Sequence, residues 1–181
     1  MGMEAEVYVY DRNIDRLREL DLYFAGRAST CYASTLEIEQ RLPEMDLVIG
    51  AVLVHGAKAP YVIRREQLSL MKRNAVLVDV SIDQGGCFET SKPTTHSDPT
   101  YEVDDIVHYC VANMPGAVPI TSTYALTNAT LPYVLAIAEL GPRAAIERDA
   151  GLAQGLNVAK GKVTYEPVAT GTGTEYTPLE Q

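Results

Sequence analysis

Apolar residues gather in short runs divided by polar, glycine- or proline-bearing stretches, and these runs alternate with helical spacing. Val7-Tyr8-Val9-Tyr10 reads as a strand that closes on Asp11. Ile14, Leu17 and Phe24 then recur at helical spacing, with Asn13 placed to cap the helix, Asp15 in its first turn and Gly26 at its end. Ser29 to Tyr32 predicts a second strand. Ser34 and Glu37 are spaced as a capping box for a helix running to about Arg41, which Pro43 should stop. Asp46 to Val54 reads as a buried strand, followed by the loop His55 to Pro60 and a short helix around Arg65 to Met71. Val76-Leu77-Val78-Asp79-Val80 is Val-rich and suits a strand buried on both faces. A long polar loop with Pro93, Asp98 and Pro99 leads to a further strand, Ile106 to Val111. Strands alternating with helices predict an α/β fold with a doubly wound, parallel sheet.

The pattern changes after Pro119. Thr121 to Leu140 reads as a long helical region that Pro132 kinks or divides. Its second half is nearly all apolar, so it must pack against something. Arg143 to Asp149 adds a turn or two. Gly161 to Tyr165 suggests a strand or turn, and the Gly/Thr-rich 170–174 a loose tail rather than a helix.

Composition narrows the function classes. The 181 residues suffice for one good core, and the net charge of −9 argues against a nucleic-acid or acidic-membrane surface. No apolar run is long enough to span a bilayer, and no signal peptide is evident. The three cysteines, Cys31, Cys87 and Cys110, form neither a disulfide framework nor a zinc pattern, so reduced thiols and a cytoplasmic protein are expected.

The candidate chemistry lies where the central apolar run breaks into Asp83-Gln84-Gly85-Gly86. Adjacent glycines let the backbone turn sharply and approach a ligand. Open α/β sheets bind ligands beyond the carboxyl ends of their strands. Asp79 and Asp83 are therefore candidates, the plain alternative being two acids that solvate a loop. Asp11 ends a strand before a helix, where dinucleotide folds place the acid that holds the adenosine ribose and favours NAD over NADP. The alternatives are an exposed acid beside a cap, or an Arg12 that accepts a 2′-phosphate. Asn113, beside Met114-Pro115-Gly116, is placed to offer an amide and backbone groups. His55, His96 and His108 are not spaced as a metal site, and Cys87 suits a small buried residue better than a reactive thiol.

No Gly-x-Gly-x-x-Gly occurs, although the phosphate loop should lie about 20 residues before Asp11. The strand ending at Asp11 then behaves as the second of a sheet ordered 3-2-1-4-5-6, and the central first strand is lacking. Its two neighbours would each expose an unpaired edge. An incomplete Rossmann-like sheet, completed by another segment or poorly stable, is the expectation.

Val78-Asp79-Val80-Ser81-Ile82-Asp83-Gln84-Gly85-Gly86-Cys87-Phe88-Glu89 resembles the signature of alanine dehydrogenases. Val111-Ala112-Asn113-Met114-Pro115-Gly116-Ala117-Val118-Pro119 and Thr121 to Thr130 do so too, and Asp11 to Leu20 and Asp46 to Pro60 agree. The NAD-binding part of proton-translocating transhydrogenase is similar around Gln84-Gly85-Gly86, but Asp83 and the 113–130 stretch favour alanine dehydrogenase. The resemblance covers nearly the whole chain.

That resemblance implies NAD-linked, reversible oxidative deamination of L-alanine to pyruvate and ammonia. By matching positions, Asp11 holds the adenosine ribose, with Arg16 near the adenine. Val52, Leu53, Val80, Ser81, Ile82 and Asp83 line the cofactor, and Lys92 is a basic cofactor contact. Val111, Ala112, Asn113 and Met114 meet the nicotinamide and its ribose. Asp83 is the catalytic carboxylate. The family's N-terminal half has no counterpart here, and with it go the substrate-binding Arg and Lys, the catalytic His and the glycine-rich loop. Some members carry a Glu and a His on the last long helix as magnesium ligands; Ala136 and Leu140 match those positions, so no metal site is expected. Residues 1–120 would form an incomplete NAD-binding domain, and 121–181 a segment returning to the absent substrate domain. The family commonly forms homo-oligomers, often hexamers. Alternatives are a non-catalytic nucleotide-binding or assembly module left by truncation, or a transhydrogenase-type NAD-binding domain.

Overall fold

The computed structural model describes residues 2–52 and 60–178. β1 (Tyr8–Asp11) pairs in parallel with β2 (Ser29–Tyr32), joined by helix α1 (Ile14–Phe24). The Asn13 side chain accepts the Asp15 and Arg16 N–H groups at the start of α1, as its sequence position suggests. The helix ends on Ala25 in the left-handed conformation, with Gly26 also at positive φ, so two residues share the turn assigned to Gly26 alone. Helix α2 (Thr35–Arg41) starts on Ser34, whose hydroxyl accepts the Glu37 N–H. The α-helix ends at Arg41, just before Pro43 as expected, and the chain continues into a 3-10 turn, Leu42–Glu44.

The second sheet has the order β3 (Leu47–Gly50), β4 (Val76–Asp79), β6 (Ile106–Tyr109), β5 (Thr100–Val103). β3, β4 and β6 are parallel, and β5 is antiparallel to β6. The sequence pattern places β5 within a loop; the structure makes it a strand. Asp104 and Asp105 join it to β6 with φ of 52° and 63°, the two positive values that a tight hairpin turn needs.

Among the described residues no strand lies between β1 and β3. β1 has only β2 beside it, and β3 only β4. The doubly wound sheet is thus present in two pieces, broken where its central strand belongs. Helix α2 ties the pieces: Ile38 packs on the core, the Arg41 guanidinium lies 4.9 Å from the Tyr8 ring centre, and Glu39 accepts from Gln67.

One face of the second sheet is covered. Leu77 and Ile106 pack there with Leu42, Ile63, Leu68, Met71, Cys87 and Phe88. Full burial of one such side chain contributes on the order of 2 kcal/mol. A Cβ on Gly50 would run into Cys87 Sγ and the Phe88 ring, so β3 approaches the loop after β4 only because that position is bare. On the other face Leu47 and Ile49 are exposed.

Helix α3 runs from Pro119 to Arg148. Its break is at Gly141 (φ 76°, ψ 160°), not at Pro132, which lies inside it. Pro142 pushes its predecessor out of the helical region, and glycine accepts the positive φ that results. Apolar α3 side chains such as Val134, Leu135 and Ile137 stay exposed, uncovered by the rest of the described chain. α4 (Ala150–Gln154), the hairpin β7 (Val158–Ala159) and β8 (Lys162–Val163), and α5 (Glu166–Thr172) follow. The region expected to be a loose tail is therefore partly helical. Pro167 in the first turn of α5 favours its start, Ala169 is buried, and Gly173 closes it at φ 67°. No described helix is long and apolar enough to cross a membrane.

Candidate active site

The parallel strands bring their carboxyl ends to one edge: Gly50 is level with Asp79, and Val78 with Tyr109. Asp79 organises the turns there. It is fully buried, and its Oδ2 accepts the Cys87 N–H (2.8 Å), the Phe88 N–H (3.3 Å) and the Ser91 hydroxyl (2.5 Å). Its Oδ1 accepts the Ser81 N–H at 3.0 Å and faces the Cys87 thiol at 3.5 Å. This carboxylate shapes the loop from within and does not solvate it. Burial, reinforced by the charge of Asp79, pushes the Cys87 thiol up to about 12, so the thiol stays protonated and unreactive.

The loop so held runs through Val80, Ser81, Ile82 and Asp83. The Val80 N–H bonds to the Gly50 carbonyl (2.8 Å) and the Ser81 hydroxyl to the Val52 carbonyl (2.9 Å), joining the ends of β3 and β4. Ile82 is buried under the 3-10 turn Ile82–Gln84, which lifts Asp83 into solvent. Gly85 and Gly86, at φ 93° and 74°, return the chain to the buried Cys87. Val80, 49% exposed, offers an apolar surface beside them.

Asn113 comes in from the end of β6. Its N–H donates to Asp83 Oδ2 at 3.4 Å. Val111 is buried, Ala112 and Met114 are half-buried, and Asn113 adopts the left-handed conformation (φ 54°, ψ 53°) before the 3-10 turn Met114–Ala117. His96, which sequence spacing leaves without a role, joins this group. The loop after β4 runs back along the extension of β6, with Thr94 bonded to Cys110 and Ala112, and this places His96 Nε2 3.0 Å from the Asn113 carbonyl. No residue spacing signals that contact, because it depends on how the loop returns.

Other expected site residues lie apart from this group. Lys92 stacks its ammonium 4.3 Å from the Tyr101 ring centre on β5, and Arg16 pairs with Glu19 on the exposed face of α1. Asp11, half-buried at the end of β1, accepts the Asn13 N–H through Oδ1 at 2.8 Å. Leu53 and His55 lie outside the described residues.

The carboxyl edge of β3, β4 and β6 offers a carboxylate, an amide and an apolar surface around Val80, Asp83 and Asn113, and the separate β1–β2 pair ends β1 on Asp11, an acceptor of the kind that suits ribose hydroxyls. Such a set fits the two ends of a dinucleotide. The pyrophosphate cradle of these folds belongs to the turn after the first strand, the strand that the described residues lack between β1 and β3.

A sheet and site of this kind define an α/β nucleotide-binding domain of the dehydrogenase type. The family model "Alanine dehydrogenase/PNT, C-terminal domain" matches residues 1–166, and the chain belongs to that family. Alanine dehydrogenase of Halomonas elongata is 58% identical over 97% of this chain and 47% of its own length. That of Mycolicibacterium smegmatis is 54% identical over 99% of this chain and 48% of its own. The chain spans about half the length of the curated relatives it matches. A solved structure titled L-alanine dehydrogenase superposes with a TM-score of 0.81 at 46% identity, covering 95% of this chain and 47% of that one. A transhydrogenase from Sinorhizobium meliloti (TM-score 0.59, 20% identity, 76% of this chain and 46% of that one) shares the fold.

Proposed function

We propose that this chain is the NAD-binding half of an alanine dehydrogenase, catalysing reversible oxidation of L-alanine to pyruvate and ammonia once joined to its N-terminal half. The domain family and its alanine dehydrogenase members bind NAD. The observation that carries the reading is the Asp83–Asn113 contact at the carboxyl edge of β4 and β6, on the segments that resemble the family's signature.

In this reading Asp11 takes the adenosine ribose, with Arg16 on the adenine side. The walls are Val52, Leu53, Val80, Ser81 and Ile82, with Val111 to Met114 against the nicotinamide end. Lys92 is a flanking cation. NAD supplies the hydride acceptor. Asp83 holds or releases a proton beside the reacting amine and orders the water that completes deamination. Asn113 fixes the Asp83 carboxylate through its N–H. The substrate carboxylate needs a cation and the reaction a further acid–base group, both expected from the N-terminal half.

Residues 1–120 act as the cofactor domain, and 121–181 return toward the substrate domain. The exposed apolar face of α3 and the free edges of β1 and β3 are the surfaces that the other half or neighbouring subunits cover. Assembly as a homo-oligomer, commonly a hexamer in the resembling family, and a cytoplasmic location belong to the same reading.

Co-expression with an alanine dehydrogenase N-terminal half tests it. Alanine-dependent NAD reduction should appear in the assembled protein and not in the 181-residue chain alone. An assembled, soluble complex with no such activity would overturn the proposal in favour of a non-catalytic nucleotide-binding module.

A further inference from the structure

Asn113 is held from both sides. Its N–H meets Asp83, and its carbonyl accepts the Gly116 N–H at 2.9 Å and faces His96 Nε2 at 3.0 Å. A carbonyl oxygen can only accept, so His96 donates through Nε2–H. Gly116 lies under the pair: a Cβ there would stand 3.2 Å from Asn113 Nδ2 and 3.3 Å from His96 Nε2. The imidazole and the Asn113 amide thus share a space that a Cβ at position 116 would crowd. Asn113 also keeps a left-handed conformation uncommon for a residue with a side chain, which such fixed partners sustain.

We infer that His96 is a positioning residue for the nicotinamide end of the site: by holding the Asn113 peptide it fixes Asn113 and, through the Asn113 N–H, the Asp83 carboxylate. The inference rests on the NAD-binding reading above. His96 does not touch the reacting atoms. It is exposed, on a loop outside the core, so its replacement leaves the packing of the sheet intact. Gln at this position keeps an N–H donor; Phe fills similar space without one.

The test uses the complete enzyme, this chain assembled with an N-terminal half, and two probes measured by calorimetry: NAD, and ADP-ribose, which lacks the nicotinamide. His96→Phe should weaken NAD binding about tenfold, the scale of one hydrogen bond and the order it imposes, and leave ADP-ribose binding unchanged. His96→Gln should recover most of the loss. Gly116→Ala, which presses the added methyl against both partners, should reproduce the His96→Phe pattern. Equal weakening of both probes would make His96 merely structural and overturn the inference, as would weakening of neither. If the unsubstituted complex bound neither probe, the NAD-binding reading itself would fall, and the inference with it. If it bound ADP-ribose alone, the nicotinamide end would be misassigned and His96 would lose its role.

Discussion

Cys87 donates its backbone N–H to Asp79 Oδ2 across 2.8 Å, tying the far end of the glycine turn to the last residue of β4. Everything between them is thereby a closed loop, and the exposed Asp83 sits at its tip. The two aspartates of one motif divide the work: one is buried and turns its oxygens on the backbone, the other is lifted into solvent.

Asp79→Asn should therefore destabilise the fold. An amide nitrogen in place of Oδ2 cannot accept the Cys87 and Phe88 N–H groups or the Ser91 hydroxyl, and buried donors would be left unpaired. The expected loss is about 3 kcal/mol, from unsatisfied buried donors and lost charge-assisted hydrogen bonds. Urea unfolding of the complete protein measures it. A variant as stable as the parent would show that water or a rearranged loop replaces the carboxylate.

A second buried polar group gives a pH dependence. His108 is fully buried on β6, stacked on Tyr101, with Nδ1 2.9 Å from the Ile106 carbonyl and Nε2 2.7 Å from the Thr90 hydroxyl. That pairing suits the neutral ring with its proton on Nδ1. Burial lowers its pKa, against the opposing pull of the Ile106 carbonyl, Asp104 and Asp79. The unfolded chain, with an ordinary His near ~6.5, then takes up a proton that the folded chain refuses. Its contribution is present above about pH 6.5 and is lost as pH falls toward the depressed folded value. Unfolding midpoints measured between about pH 7 and about pH 5 should fall for the parent and fall less for His108→Gln. Parallel profiles would assign the slope to carboxylates.

Cofactor choice should follow Asp11. In the proposed role its carboxylate would accept ribose hydroxyls and repel a 2′-phosphate, so the complete enzyme should use NAD far better than NADP, and Asp11→Ser should narrow the gap. Comparing kcat/KM for both cofactors decides it. Equal or better use of NADP by the parent would pass the role to Arg12, the adjacent exposed cation.

Much of this is legible in the chain, for physical reasons that differ by element. The caps at Asn13 and Ser34 are local, made by side chains a few residues from their partners, and they form where the spacing indicates. At Ser34 only half of the expected capping box is made: the Glu37 carboxylate faces Arg41, and the Ser34 N–H bonds to the Tyr32 carbonyl. The lack of a central strand is legible because the strand ending on Asp11 has no glycine-rich phosphate turn before it and so behaves as the second of a sheet ordered 3-2-1-4-5-6, and among the described residues the sheet is split at β1 and β3. β5 escapes notice because prolines and polar residues surround it, although Asp104-Asp105 between Val103 and Ile106 is a usable hairpin signal. The α3 break falls at Gly141 because its neighbour Pro142 compounds glycine's freedom, whereas Pro132 has helix on both sides. At the site, the candidate status of Asp79 is legible but its bonding is not. Its partners Ser81, Cys87, Phe88 and Ser91 lie up to 12 residues away on a turn whose path is set by Gly85 and Gly86. His96 is invisible for the same reason, since its partner is 17 residues distant on another strand's extension.

Asp83 gives the sharpest separation between chemistry and scaffold. It is exposed, and its hydrogen-bond partner is the Asn113 N–H at 3.4 Å. An Asn side chain at position 83 keeps an oxygen that can accept this N–H, so the turn and the Asn113 peptide should stay in place while the carboxylate is lost. Stability of Asp83→Asn should then match the parent within about 0.5 kcal/mol, as for surface substitutions. Turnover of the complete enzyme should fall by roughly 100-fold or more, the usual size of a general acid–base contribution. If hydride transfer needs the carboxylate and cofactor binding does not, the loss appears in kcat while NAD affinity holds. Stopped-flow measurement of alanine-dependent NADH formation, with NAD affinity from calorimetry, separates the two. Full turnover in Asp83→Asn would reduce Asp83 to a loop-solvating acid and move the proton chemistry to the N-terminal half.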